Sequence, residues 1–528
     1  LWAIPDAHSQ EWLYTVRPGD NLWNITSDYL TRMDYWPKLQ TLNQVADPEH
    51  LPPGMKLRVP VAWLKRLPAT AQVVSAQGQA QAVIAETSRT IPVKAGLSLR
   101  SGDVLHTGPG GNVTLEFGDG SRLLAQADSE LSMDALNAYG QTHVVDTRLS
   151  LQQGRVESQV TPRAVAGPRY EIRTPTATSA VRGTRYRLGM DSATATARAE
   201  VLEGVVAFQG HRLGRTVAKG FGALAQAGKP PTPPTPLLAP PNTAALPAVV
   251  TRVPIQLGFP ALKGARAYRA QIAPDDRFET LLFDGVAPGP AIRGPDLPDG
   301  DYVLRVRGID ARGLEGRDAL HQFRLHARPD PPFLIHPPHQ GAVLEKSLNF
   351  EWSEPQNAAA YHIQLAADEQ FTTPLLDVAD YAKSRLTPER PLEPGHYYWR
   401  VAVRDSTGRE GPFGDPQAFR LQPTPKMQPP EVTADAMTLR WSAGLPGQRY
   451  QFELARDVNF EDIVISTLVS EPQLTLPRPE SGFHYLRMRT IEADGYVGPY
   501  GPVQRIDVPP ADYWSYGMVI LLTLVLVL

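Results

Sequence analysis

A unit of roughly 90 residues occurs three times in the second half of this 528-residue chain. Its first segment starts at Tyr268, Tyr361 and Tyr450, which are 93 and 89 residues apart, and reads YRAQIAPDDRF, YHIQLAADEQF and YQFELARDVNF. Its second segment reads GDYVLRVRGIDARG, GHYYWRVAVRDSTG and GFHYLRMRTIEADG. Alternating apolar and polar residues between Gly/Pro turns are typical of strands, and a unit of this size suits a small β-sandwich. The chain is therefore predicted to be multidomain and mainly β.

Three large aromatic residues are predicted core positions of these units. Trp352 and Trp441 precede the repeated tyrosine by nine residues, and Phe259 takes the same place in the first copy. Val303 and Leu304 lie on opposite faces of a predicted strand, so one of its faces can be buried. The units resemble fibronectin type III modules, which implies spacers that in some members bind sugars or proteins.

Composition excludes several classes of function. The net charge is −3, whereas a nucleic-acid-binding domain normally carries a clear basic excess. Cysteine is absent, which removes disulfides, thiolate nucleophiles and Cys-ligated zinc. The 12 histidines are scattered, and the acidic pairs Asp275-Asp276 and Asp368-Glu369 recur at one turn of the repeat, as solvated loop residues do. We predict no enzyme activity, no cofactor and no metal site.

The segment YTVRPGDNLWNI, residues 14–25, carries the most informative motif. A nucleotide-binding loop needs several glycines, or a glycine-lysine pair, after a strand, and this segment has one glycine and no lysine. Asp20 is predicted to N-cap a helix that buries Leu22, Ile25 and Tyr29. A second helix ends at Asn43, and a Pro-Gly turn leads into the strand KLRVP.

This order of strand, helix, helix and strand, over about 50 residues, closely resembles the LysM module. The resemblance implies binding to chains of N-acetylglucosamine-type sugars, here peptidoglycan. The ligand would lie in a shallow groove between the first strand-helix loop and the second helix-strand loop. Carried onto this chain, the implied glycan-binding residues are Gly19, Asp20, Asn21, Leu22, Asn43, Val45, Asp47, Pro48 and Leu51.

Residues 71–227 are predicted to form an all-β domain built as a stack of successive strands. Asp119-Gly120 in FGDGS is a preferred two-residue hairpin turn, and Gly154, Gly204 and Gly220 punctuate later strands. The order of GDVLHTGPGGNVTLEFGDGSRLLA, YEIRTPTATSAVRGTRYRLGM and ARAEVLEGVVAF resembles a FecR-type periplasmic domain. In the best-known members of that family this domain relays a signal across the envelope, but this chain departs from their domain order, and the resemblance implies a periplasmic sensing or assembly role.

Both ends suggest export and anchoring. Residues 1–9, LWAIPDAHS, resemble the tail of a secretory signal. Residues 513–528, YWSYGMVILLTLVLVL, carry no charge and are predicted to be a truncated transmembrane helix, since a full span needs about 20 apolar residues. The protein is then expected in the periplasm, anchored in the inner membrane.

The predicted fold is a multidomain, mainly β chain with a βααβ module at its amino end. Its predicted parts are a signal remnant (1–9), the LysM module (10–66), the FecR-type domain (71–227), a proline-rich linker (228–248), three β-sandwiches (249–328, 329–423 and 424–510) and the membrane helix (513–528).

Two functions remain open. In the first, a non-enzymatic, membrane-anchored periplasmic protein binds peptidoglycan through its LysM module and presents the FecR-type domain for sensing or assembly. In the second, the FecR-type domain is the signalling partner of a membrane sensor or cyclase, and the LysM module only localises it.

Overall fold

The computed structural model describes residues 11–139, 145–162, 170–181, 183–444, 446–510, 520–521 and 524–526. The predicted signal remnant lies outside these residues. The described chain is mainly β, with two short α-helices among its elements. It divides into two compact units, residues 1–325 and 326–528.

The amino-terminal module packs two helices against a two-stranded sheet. Its elements are β1 (Glu11–Thr15), α1 (Leu22–Tyr29), a 3₁₀ turn (Met33–Tyr35), α2 (Trp36–Asn43) and β2 (Lys56–Pro60). The strands are antiparallel, with Tyr14 opposite Leu57. Leu22, Ile25 and Leu39 are at most 1% exposed, so the apolar stripes of both helices face the sheet.

The second domain is all β. Its strands are β3 (Arg66–Pro68), β4 (Ala71–Gln77), β5 (Ala80–Ile84), β6 (Arg89–Pro92), β7 (Ser98–Leu99), β8 (Val104–Thr107), β9 (Asn112–Phe117), β10 (Arg122–Ala125), β11 (Glu130–Tyr139), β12 (Val145–Gln159), β13 (Tyr170–Arg173), β14 (Thr178–Val181), β15 (Arg185–Asp191), β16 (Thr196–Glu203), β17 (Val205–Gly210), β18 (Leu213–Ala218), β19 (Phe221–Gln226) and β20 (Thr235–Pro236). Their pairings close on themselves around one apolar core. The predicted hairpin is confirmed, because β9 pairs with β10. Its loop has three residues, 118–120, and not the predicted two, since the Phe117 amide donates to the Ser121 oxygen at 2.9 Å and Gly120 follows with a φ of +77°.

The amino-terminal module is joined to the second domain by sheet pairing and by packing. Strand β3 pairs with the end of β11, where Leu67 lies opposite Ala138. Tyr139 at that end is 7% exposed and belongs to the core cluster of the amino-terminal module. The short stretch between the two folds is therefore built into both of them.

The proline-rich segment is extended but packed along its length. Strand β20 within it pairs with β19. Leu237 and Leu246 are buried, and the backbone oxygen of Leu238 accepts a 2.9 Å hydrogen bond from the Arg317 amide. The segment thus lies against the second domain and the first β-sandwich.

The first β-sandwich has a five-stranded sheet, in the order β21-β27-β26-β23-β24, and the pair β22-β25. Its strands are β21 (Val249–Val250), β22 (Gln256–Gly258), β23 (Ala267–Ala273), β24 (Phe283–Ala287), β25 (Ala291–Arg293), β26 (Gly300–Ile309) and β27 (Ala319–Leu325). It belongs to the same compact unit as the two preceding domains.

The second and third β-sandwiches form the other unit. The second consists of β28 (Leu334–His336), β29 (Gly341–Leu344), β30 (Phe350–Trp352), β31 (Ala358–Ala366), β32 (Leu376–Tyr381), β33 (Arg385–Leu386), β34 (Gly395–Asp405) and β35 (Gln417–Gln422). The third begins with β36 (Glu431–Val432), β37 (Ala436–Arg440), β38 (Arg449–Ala455), β39 (Ile463–Val469), β40 (Gln473–Pro477), β41 (Gly482–Ile491) and β42 (Gln504–Val508). The predicted core aromatics Phe259, Trp352 and Trp441 are confirmed, at 7%, 2% and 3% exposure.

Strand β26 buries the predicted face and its opposite face as well. Leu304 is fully buried in its own sandwich, but Val303 is only 6% exposed as well, and Arg305 and Arg307 on the same face as Val303 are 1% and 0% exposed. Val303 joins a cluster with Leu124 of the second domain. The outer face is buried because the second domain packs against it.

Among the described residues, the predicted carboxyl-terminal transmembrane helix is not found. Two short stretches of it are described, and both are strands: β43 (Ile520–Leu521) pairs with β36, and β44 (Val525–Leu526) pairs with β42. Short Val, Ile and Leu runs suit a strand as well as a helix, and open sheet edges supply the missing backbone partners. Among the described residues, no helix has the length and apolar character needed to cross a bilayer. The other residues of 513–528 lie outside the described part, except Leu524.

A candidate glycan-binding groove

Two loops of the amino-terminal module lie side by side. The first connects β1 to α1, and the second connects α2 to β2. The Leu22 amide donates to the Pro48 oxygen at 2.9 Å, and Val16 exchanges backbone hydrogen bonds with Met55 and Gly54, each of 2.8 Å. These bonds bring the two predicted groups of glycan-binding residues together on one side of the module.

The first loop differs from the prediction in its helix cap. The N-cap of α1 is Asn21 and not Asp20: the side chains of Asn21 and Asn24 accept hydrogen bonds from each other's backbone amides at 2.7 and 2.8 Å. Asp20 is engaged elsewhere, since its Oδ2 accepts from the Tyr14 hydroxyl at 2.5 Å and the Arg17 amide at 2.7 Å. Burial and the Asp20 carboxylate raise the pKa of Tyr14, so the hydroxyl stays a proton donor.

Gly19 forms the exposed tip of the first loop. Its φ of +88° is a left-handed conformation that favours glycine, and no atom lies within 4 Å of the place where a Cβ would stand. A ligand can therefore approach the backbone closely at this point.

The second loop is held by the side chains of Asn43 and Asp47. Asn43 accepts from the Arg58 amide at 2.6 Å and donates to the Leu39 and Arg58 oxygens at 3.0 and 2.8 Å. Asp47 accepts from the Glu49 amide at 2.9 Å and lies 3.0 Å from the His50 ring. The hydrogen bond from the Glu49 amide, together with His50, lowers the pKa of Asp47. Both side chains shape the loop and are already partnered.

The nine predicted glycan-binding residues fall into two groups by burial. Leu22, Val45 and Leu51 are 0%, 8% and 7% exposed, so they support the loops from the core side. The residues that reach the surface are Gly19, Asp20, Asn21, Asn43, Asp47 and Pro48. The surface they form is built from backbone and short polar groups, which suits neutral hydroxyl and amide ligands better than a charged one.

Trp23 was missed by the sequence reasoning. It directly follows Leu22 on α1 and its side chain is 61% exposed, although tryptophan is among the most apolar residues of the module. The available signal was its position off the helical stripe formed by Leu22, Ile25 and Tyr29. An exposed indole face, on the first turn of the helix that follows the first loop, can stack on the apolar face of a sugar ring.

Clusters of three or more His, Cys, Asp or Glu residues that could hold a metal ion are not found in the described part of the chain. The repeated acidic turns are closed by their own hydrogen bonds: Asp275 accepts from the Arg277 amide at 3.0 Å, and Asp368 accepts from the Thr372 amide at 3.1 Å.

Comparison with protein families accounts for two segments. Residues 14–60 match the family model described as LysM domain, and residues 103–207 match the one described as FecR protein. The chain carries a LysM domain followed by a FecR-type domain. The two loops of the candidate groove and Trp23 lie within the LysM match. No curated protein matches the chain.

Several solved structures are similar to parts of the chain. A candidate anti-sigma factor from Parabacteroides distasonis shows 11% identity and a TM-score of 0.22 over 25% of this chain and 59% of its own. The FN1–FN3 domains of chicken CNTN1 show 14% identity and a TM-score of 0.18 over 52% and 99% of the two chains. The fibronectin(III)-like modules of Clostridium thermocellum CbhA show 10% identity and a TM-score of 0.18 over 35% and 98%. The chain therefore spans less than two thirds of the anti-sigma candidate.

Proposed function

We propose that the LysM domain binds N-acetylglucosamine-containing glycan, as found in peptidoglycan, in the groove between its two loops. The FecR-type domain, in the same compact unit, would then be held at the cell wall for sensing or assembly. The protein acts in the periplasm as a binding protein without catalysis.

The observation that carries this proposal is the joining of the two predicted loops inside the matched LysM segment by the hydrogen bond from Leu22 to Pro48. An N-acetyl group offers a methyl for a small apolar surface and an amide for backbone groups. Gly19 lets backbone approach the sugar, and Trp23 supplies a flat apolar face next to it.

The test is binding of the full chain to chito-oligosaccharides by calorimetry and to purified peptidoglycan by co-sedimentation. Trp23→Ala should weaken binding about tenfold, because a stacking aromatic contributes on the order of 1 kcal/mol or more. Leu13→Ala is the matched control, since Leu13 is an apolar residue of β1 that is 51% exposed outside the two loops. Failure of the unchanged protein to bind either ligand would remove the proposal.

A second candidate function is signalling through the FecR-type domain to a membrane sensor or cyclase, with the LysM domain only as a localiser. It is favoured by the family match over residues 103–207, which lie outside the LysM domain. Two variants in cells separate the alternatives. Deletion of residues 71–227 should abolish the envelope response, whereas Trp23→Ala should only reduce retention at the wall. An unchanged response after the deletion would exclude signalling.

A further inference from the structure

An aromatic pocket of about 410 Å³ in the LysM domain is built from the same two loops as the proposed glycan groove. Its walls come from β1, from Arg17 and Pro18 at the start of the first loop, from Tyr29 on α1, and from Pro53 and Gly54 at the end of the second loop. None of the nine predicted glycan-binding residues lines it. The pocket therefore adjoins the groove at the end where both loops meet the strands, and adds to it.

Three aromatic side chains form the apolar wall of this pocket. The ring centroids of Trp12, Tyr14 and Tyr29 lie 5.0, 5.3 and 5.3 Å apart. Tyr14 and Tyr29 are 4% and 7% exposed, whereas Trp12 is only partly buried. A concave wall of aromatic rings with a few polar groups is typical of small-ligand sites, and it suits the apolar face of a sugar ring.

The hydroxyl of Tyr29 lines the pocket without a partner. The ring is buried, but the hydroxyl is not sealed from solvent and makes no hydrogen bond with the described residues. The same holds for Nε1 of Trp12, whereas the Tyr14 hydroxyl donates to Asp20 at 2.5 Å. Buried tyrosine and tryptophan normally find a partner for their polar atom. A ligand in the pocket would supply one for each of these two groups.

The charges near the pocket are balanced. Arg17 and Asp20 have opposite signs, and the Asp20 carboxylate accepts from the Arg17 amide at 2.7 Å. Burial and Asp20 raise the pKa of Tyr14, and Arg17 opposes this rise, so both charges lie near the Tyr14 hydroxyl. A charged ligand would disturb this balance, whereas a neutral sugar preserves it. Its hydroxyl and acetamido groups can both donate and accept.

We propose that this pocket binds one further N-acetylated sugar unit of the glycan chain that occupies the groove. The inference rests on the proposed glycan function and extends it, because the binding site becomes longer than the two loops alone. The sugar ring stacks on Trp12 and bonds to the Tyr29 hydroxyl. The size agrees: at about 30 Å³ for each water-sized group, the pocket holds roughly 14 non-hydrogen atoms, about as many as one N-acetylhexosamine contains.

The test is calorimetry of the full chain with chito-oligosaccharides from the trisaccharide to the octasaccharide. Affinity should rise with length until the pocket is filled, and the last rise should be about tenfold, because a stacked ring contributes on the order of 1 kcal/mol. Trp12→Ala should abolish this last rise. Tyr29→Phe keeps the packed ring and should weaken binding of the longest chains about three- to tenfold, since it removes one hydrogen bond. Neither variant should change trisaccharide binding.

Tyr35→Phe is the matched control, because it makes the same chemical change in the same domain outside the pocket. It should bind every length as the unchanged protein does. If the trisaccharide binds but both pocket variants keep the full gain with length, the pocket proposal is overturned and the groove stands. If no length binds the unchanged protein, both proposals fall. Binding of decaproline that Tyr29→Phe abolishes, with no effect on any oligosaccharide, would assign the pocket to a proline-rich peptide and also overturn the sugar site.

Discussion

Nη1 of Arg305, in the first β-sandwich, donates to Oε1 of Glu157, in the FecR-type domain, at 3.1 Å, and the two residues are 1% and 8% exposed. Burial alone would raise the pKa of Glu157, but Arg305 and Arg185 hold it below its ordinary value. Further pairs cross between the two domains, including Arg187 of the FecR-type domain with Glu315 of the sandwich at 3.4 Å. The two domains are therefore docked through a desolvated layer of charges.

Arg305→Ala should destabilise the docked unit by about 3–5 kcal/mol, because it leaves Glu157 buried with less compensating charge. Chemical denaturation of the full chain, followed by limited proteolysis between the two domains, measures the effect. Arg487→Ala is the matched control at the equivalent position of the third sandwich, where the arginine is 26% exposed and pairs with Glu453 of its own module. Its expected cost is about 1 kcal/mol. Equal costs for the two variants would contradict the docking role of Arg305.

The cap of the first LysM helix gives a second prediction. Asn21→Ala removes the acceptor for the Asn24 amide but keeps the backbone amide that donates to Asn24, and should cost about 1 kcal/mol. Urea denaturation followed by the fluorescence of the LysM tryptophans measures it. Ser27→Ala, at an exposed position of the same helix, should change stability by less than about 0.5 kcal/mol. A loss of the same size in Ser27→Ala would show that the cap is not the cause.

Asp47 should act on glycan binding through the shape of its loop. Asp47→Ala frees the Glu49 amide and should weaken chito-oligosaccharide binding about three- to tenfold. Asp47→Asn keeps an acceptor oxygen and should restore most of the affinity. If the Asn variant binds as weakly as the Ala variant, the negative charge of Asp47, and not its hydrogen bond, is what the ligand needs.

His362 in the second sandwich predicts a pH dependence of stability. Its ring nitrogens lie 2.9 Å from Glu410 and 2.5 Å from Asp377. Burial alone would lower its pKa, but the hydrogen bonds with these two carboxylates raise it above the ordinary value. Since the folded state favours the charged ring, its stabilising contribution is complete below about pH 6.5 and is lost as the pH rises through the raised pKa.

The corresponding measurement compares the Tm of the unchanged protein with that of His362→Gln from acid to alkaline pH. The difference between the two should be largest on the acid side of neutrality, as long as Glu410 and Asp377 stay ionised, and should shrink at alkaline pH. His396→Gln, at an exposed position of β34, is the matched control. If the Tm difference between the two proteins instead grows with pH, the folded state does not favour the charged ring of His362.

The sequence predicted elements whose signals are local. The buried stripe of Leu22, Ile25 and Tyr29 follows from helical spacing, and the core positions of Trp352 and Trp441 follow from the repeat. Which of Asp20 and Asn21 caps the helix was harder to predict from the sequence, because both residue types are good N-caps. The Tyr14 hydroxyl, six residues before Asp20, binds the Asp20 carboxylate and leaves Asn21 as the cap. The run at the carboxyl end has helix and strand signals of similar strength, and its placement depends on distant sheet edges.

The docking of the first sandwich could not be read from the repeat. Arg305, Arg400 and Arg487 occupy equivalent positions, yet their surroundings differ. Arg400 lies 4.4 Å from the ring of Phe413, and Arg487 lies 4.1 Å from the ring of Tyr500. At the position equivalent to Phe413 and Tyr500, the first repeat has Asp318, which lies 3.1 Å from Arg307. All three arginines stack on one ring of their own module, Phe278, Phe371 or Phe460, at 4.2, 4.0 and 4.0 Å. The second ring is present in two copies, and in the first copy the neighbouring domain takes its place.

The response of the first compact unit to force also depends on its connections. These are strand β3, the packed proline-rich segment and the buried charges between Arg305 and Glu157. Tension applied at the amino-terminal end of this unit has to separate paired strands and rehydrate several buried ions before the chain lengthens. The unit should consequently unfold in one cooperative step at high force, and its three domains should not unfold one after another.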